Sequence, residues 1–176
     1  PAKLAAMEGL YDGREGAGLV AVGVLNPNKR IGDTLDAFVM KIEIPKMLSI
    51  LGFRKIDGFV PGINDVVYGN PEREMLSTTE KIQRGRLALD ALSGYKEAKK
   101  AGDTEGEESC LTVFNENYTY MGYGHLNDPE SVIPNVPFIF YSFHIMVMLG
   151  FAFIALFGLV LFLVLKDKLE KQKWLL

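Results

Sequence analysis

The chain has 176 residues, 48% of them hydrophobic and 23% charged, with a formal net charge of −3 at pH 7, which leaves room for one soluble domain beside a membrane span. The acidic balance and the scatter of basic residues exclude the basic patch by which a nucleic-acid binder announces itself. Cys110 is the single cysteine, which excludes an intramolecular disulfide and any cysteine-built zinc or iron–sulfur centre, and the two histidines, His125 and His144, lie too far apart in sequence to form a metal-binding pair.

Ala2 to Leu10, AKLAAMEGL, are strong helix formers with a stop at Gly9. Lys3 and Glu8 on this helix are about 140° apart around its axis, outside the i, i+4 relation, and by themselves read as charges on a solvated face. Tyr11 to Gly23 is glycine-rich and reads as a loop. Its GREGAG run has the wrong order for a GxGxxG phosphate loop and lacks the flanking strand and helix. Leu19 to Leu25 is an apolar run closed by Asn26-Pro27-Asn28, and Phe38 to Ile44 alternates, with Phe38, Met40, Ile42 and Ile44 on one face; two short strands are predicted. Pro45 and KMLSILGF predict a short helix ending near Gly52.

Asn70-Pro71 predicts the cap and first turn of a longer helix running to about Lys100, with Met75, Ile82, Leu89 and Leu92 as a narrow packing stripe weakened by Gly85 and Gly94. Gly102 to Ser109, GDTEGEES, reads as an acidic surface loop. The following NENYTYMGYGHLNDPESVIP reads as irregular structure at a membrane surface, where Tyr is favoured.

Val136 to Leu165 contains no Asp, Glu, Lys or Arg, and a bilayer core needs only about 20 apolar residues. Residues 1–135 hold 15 Lys and Arg against 20 Asp and Glu, a net of −5, whereas residues 166–176 carry a net of +2. Because basic residues flank the cytoplasmic end of a span, the expected organisation is an extracytoplasmic mixed α+β domain at 1–135, a transmembrane helix at 136–165 and a cytoplasmic basic segment at 166–176. Pro1 follows no initiator Met and no signal peptide is visible, so the chain is expected to be a piece of a longer polytopic protein.

Within the span, His144 and Met146 stand out, because polar or metal-ligating groups in lipid are usually functional. A Met thioether can be an axial haem ligand that raises the reduction potential; the competing reading is an ordinary apolar side chain, since the chain has seven Met. His144 lies about 200° around the helix from Met146, so one helix cannot direct both at one iron. Gly150, one turn beyond Met146, would admit a flat macrocycle or a neighbouring helix.

PAKLAAMEG at the start, KIEIP, EKIQRG, VPFIFYSFHIMV at the entry to the span and the terminal EKQKWLL together resemble, in order and from end to end, subunit I of the cytochrome bd-type quinol oxidases. The resemblance implies a quinol-binding loop followed by a transmembrane helix, in a multi-pass subunit of the bacterial cytoplasmic (inner) membrane. It further implies a terminal oxidase that oxidises quinol and reduces dioxygen to water with two b-type haems and one haem d, beside a second membrane subunit. By motif position, Lys3 and Glu8 look like the family's quinol-site pair and Met146 like the Met ligand of the low-spin haem b; the other haem ligands belong to helices outside this chain. Where the family commonly has Arg two residues before that Met, this chain has His144, near the haem but a weaker partner for a propionate. The alternative is a bitopic membrane protein with a ligand- or partner-binding outer domain, which accounts for the topology but not for the joint occurrence of PAKLAAMEG, FHIM and KWLL.

Overall fold

The computed structural model describes residues 1–166. Helix α1 (Ala2–Glu8) is closed by Gly9, whose left-handed φ of 59° no side chain would favour and whose missing Cβ makes room for Leu25 and Phe38. A short strand β1 (Arg14–Glu15) leads to β2 (Leu19–Leu25), which pairs antiparallel with β3 (Phe38–Ile44) from Leu19 opposite Ile44 to Leu25 opposite Phe38. Helix α2 (Met47–Phe53), strand β4 (Phe59–Val60), antiparallel to β1, and helix α3 (Ile63–Tyr68) follow. The alternation of β3 is present, but of its apolar face Phe38 alone packs on the core; Met40, Ile42 and Ile44 face outward.

The middle of the chain departs from the expectation twice. Pro71–Arg73 makes a single 3-10 turn that ends at Glu74 in the left-handed region, and α4 (Thr78–Ala101) starts at Ser77. There Ser77 and Glu80 form a reciprocal capping box, satisfying two otherwise orphaned amides, which the Asn70-Pro71 pair does not do. Its packing face is accordingly Thr78, Ile82, Gly85, Ala88 and Ala91, and Met75 lies outside the helix. The acidic stretch after it is helix rather than loop. Gly102 (φ 72°) closes α4, the Asp103 carboxylate accepts the amide of Gly106, and α5 (Thr104–Asn117) begins with Glu105 and Glu107 in its first turn, where the helix dipole favours negative charge. The Tyr-rich segment is also more regular than expected, with 3-10 turns at Tyr118–His125 and Pro129–Val132.

The last element, α6 (Val136–Leu165), is capped by Asn135, whose side chain accepts the amide of Phe138. It is the one helix among the described residues long and apolar enough to cross a membrane. Its first turns are packed: Val136 and Phe140 join Ala5, Ala6, Tyr11, Val20, Leu25 and Ile63 in the main core cluster. Phe140, 1% exposed, is the largest fully buried side chain, a burial that stabilises by roughly 2–3 kcal/mol. Ala5 and Ala6 let α1 lie close against it. From Ile145 onward nearly every apolar side chain of α6 is exposed, an arrangement stable only against lipid or other apolar helices. The predicted basic segment at 166–176 lies, apart from Lys166, outside the described residues.

Gly85 is where α4 meets the Tyr118–His125 turn, and a Cβ there would collide with the backbone of Gly124 and Tyr120. Gly94, on the same helix, would meet only the Cys110 sulfur at 3.0 Å. Gly85→Ala is therefore expected to destabilise by about 1–3 kcal/mol while Gly94→Ala stays close to neutral, read as thermal midpoints of the intact protein. Equal midpoints for the two variants would contradict this packing.

Candidate functional site

Glu8 sits on the same side of α1 as Ala5 and is 3% exposed, whereas Lys3 lies on the exposed side. Lys3 and Glu8 are not an ion pair, and among the described residues neither appears in any salt bridge. The Glu8 Oε2 accepts the amide of Val20 at 3.0 Å. Burial pushes the Glu8 carboxyl above the ordinary glutamate value; the Val20 amide, and then the charge of His144, oppose this.

Glu8 forms part of the wall of a cleft of about 490 Å³ between the end of α1, the 29–37 connection and β3, lined also by Tyr11, Arg14, Val20, Lys29 and Phe38. One side is a buried cation. Lys29, 6% exposed, donates to the Asp33 carboxylate at 2.7 Å and to the Asp33 carbonyl at 2.9 Å, and its ammonium lies 5.0 Å from the centre of the Tyr11 ring. The hydrogen bond from Lys29 holds the Asp33 carboxyl below its usual range, and burial, then the Asp33 charge, raises the Tyr11 phenol. Lys41 at 2.6 Å and Arg14 at 2.9 Å, which also line the cleft, both reach Glu43 and hold its carboxyl below the usual range. Lys3 does not line the cleft. Sequence reasoning missed Tyr11, Arg14, Lys29 and Phe38; the nearest signal was the Asn26-Pro27-Asn28 turn, which folds Lys29 back over Tyr11.

His144 is turned toward this domain. Its Nε2 lies 2.9 Å from the Val20 carbonyl and its Nδ1 2.8 Å from the Phe140 carbonyl, with the ring tilted over Phe140 at 4.1 Å. Three residues earlier, the Tyr141 hydroxyl accepts the Leu25 amide at 3.1 Å. Both ring nitrogens of His144 thus face carbonyl oxygens, which leaves neither free for a metal. Met146 is 62% exposed with its thioether unengaged by the domain, and nothing lies within 4 Å of where a Cβ at Gly150 would be. Among the described residues no group of three or more His, Cys, Asp or Glu could hold a metal ion. The neutral thioether of Met146, with open space along the helix beside it, is a donor type that would suit a haem iron.

A long apolar helix joined to a mixed domain of helices and strands defines a membrane protein. A family model for the cytochrome bd terminal oxidase subunit I matches residues 1–176, and the chain belongs to that family. It is 27% identical over 193 aligned residues to the cytochrome bd-II ubiquinol oxidase subunit 1 of Escherichia coli (strain K12), an alignment that covers 100% of this chain and 34% of that relative. The chain thus spans about a third of the length of the curated relative it matches.

Because burial outweighs its two stabilising partners, Glu8 should hold its proton above pH 4.5. The sign follows from linkage: below 4.5 folded and unfolded forms are both protonated, and as pH rises through 4.5 the unfolded form ionises first, so folding loses stability up to the raised folded value. An infrared pH titration should show a carboxyl band that disappears above pH 4.5 and is missing in Glu8→Gln. A midpoint at or below 4.5 would mean that the amide and the imidazole outweigh burial.

Proposed function

We propose that this chain is the quinol-oxidising portion of a bacterial terminal oxidase, with residues 1–135 as an extracytoplasmic quinol-binding domain and residues 136–165 as the transmembrane helix that carries a haem ligand. The supporting observation is the buried Glu8 carboxylate at a cleft whose size suits a small ring, held through Val20 to the helix that bears Met146.

In this reading Glu8 is the general base. Oxidation of a quinol to a quinone releases two electrons and two protons, and a carboxylate whose proton affinity is raised by burial is better matched to accept a phenolic proton near neutral pH than an exposed one. The amide of Val20 orients its Oε2. Phe38 and Tyr11 supply apolar and aromatic surface for the ring. Lys3 enters on the family resemblance alone, as a cation that orients a quinol oxygen. Met146 would hold the low-spin haem b through its thioether, and that group would supply one-electron acceptance at a potential raised by the sulfur donor. At about 1.5 Å per residue Met146 lies roughly 14 Å below Pro137, nearer to the domain than to the other end of α6. The second haem b, haem d and dioxygen reduction belong to the remainder of subunit I, working with a second membrane subunit, in the cytoplasmic membrane.

Two substitutions in the intact complex test the two halves. Glu8→Gln keeps shape but loses the basic oxygen, so quinol turnover should fall on the order of 10²-fold while all haem bands persist and an artificial donor still drives oxygen reduction. Undiminished quinol turnover would remove Glu8 from the mechanism. Met146→Leu keeps volume and apolarity without the sulfur, so the low-spin haem b band should be lost or become high-spin in a protein that still inserts. An unchanged band would exclude Met146 as the ligand.

A further inference from the structure

Strand β2 belongs to a two-stranded sheet, so one of its edges has no strand neighbour. At Val20 both backbone polar groups are bonded to side chains from other elements: Glu8 of α1 accepts the amide, and the His144 Nε2 lies against the carbonyl. Val20 is itself buried, in the core cluster with Phe140. Val20 thus links the Glu8 carboxylate to the membrane helix by hydrogen-bonding contacts on both of its backbone groups. His144 reaches Val20 across 124 positions of sequence, while its Nδ1 lies 2.8 Å from the Phe140 carbonyl of its own helix.

We propose that His144 is a positioning residue for quinol oxidation: by holding the Val20 carbonyl it fixes the strand whose amide aims the Glu8 carboxylate into the cleft. The inference rests on the reading of Glu8 as the quinol-site carboxylate. It assigns to His144 a task in the binding domain rather than at the haem. The geometry gives the reason. Strand β3 holds β2 on one side, with Val20 opposite Glu43, but the amide and carbonyl of Val20 itself point to the other, open edge, where Glu8 and His144 tie them. The second tie from α6, from Tyr141 to Leu25, lies at the far end of β2, so on the open edge the carbonyl of Val20 is met by the imidazole.

Two amide side chains separate the two ring nitrogens. In His144→Gln the longer side chain brings its NH2 to the position of Nε2 and can still donate to Val20. In His144→Asn the shorter one reaches only the Nδ1 position, beside Phe140. Both lose the aromatic contact with Phe140 equally, so a role confined to packing would affect both alike. In the intact oxidase, hydrogen exchange of the Leu19–Leu25 segment should be about tenfold faster at Val20 in His144→Asn and within about twofold of the parent in His144→Gln. Quinol kcat should follow the same order, about tenfold lower for Asn and largely restored for Gln, with the low-spin haem band retained in both. Equal exchange in the two variants overturns the proposal, whatever Glu8→Gln does. Separated exchange together with undiminished turnover in Glu8→Gln overturns the reading of Glu8 and confines His144 to holding the strand.

Discussion

The arrangement depends on the need to satisfy backbone hydrogen-bonding groups at an open strand edge. A buried amide or carbonyl without a partner costs on the order of 1–3 kcal/mol, and Val20 presents one of each to the interior. The chain meets both with side chains of α1 and α6, so closing the edge of a two-stranded sheet also joins the domain to the membrane helix. The contacts of Phe140 with Phe38, Tyr141 and His144 fill the space around that joint.

Burying Glu8 opposes this economy. A carboxylate taken out of water is costly unless it is bonded, and one hydrogen bond to a charged group returns only about 1.5–3 kcal/mol. The fold leaves the balance on the side of a raised proton affinity. Elsewhere around the cleft the opposite choice is made: Asp33 and Glu43 are each given cations and stay ionised.

The membrane helix is used asymmetrically. Its first turns are a structural part of the domain, through Val136, Phe140, Tyr141 and His144, and the rest is apolar surface without a partner in this chain. Met146 falls just past that division. A thioether there is free of the domain, while the residue two positions earlier is fully engaged by it, which is the outcome required by the turn of about 200° between them.

Much of the local structure is legible in the residues themselves. Ala2–Glu8 with Gly9, the alternation of Phe38–Ile44 and the charge-free run to Leu165 each carry their conformation in composition and period. Residue type alone misplaces two helix starts: Asn70-Pro71 has the composition of a cap and the acidic run after Gly102 that of a loop, whereas the capping bonds of Ser77 and Asp103 decide where the helices begin. The family resemblance pointed to Lys3, Glu8 and Met146 through motif, not through geometry. What only tertiary structure decided is which side of each element is covered. Lys3 and Glu8 share one short helix, and nothing in their spacing says that the first is exposed and the second buried, because periodicity shows that a helix has faces but not what packs on them. The cleft assembles residues from positions 8 to 48, and His144 meets Val20 across the whole domain. Hydrogen bonds between such distant residues leave no period in the sequence, so their existence follows from the packing of α1, β2 and α6 alone.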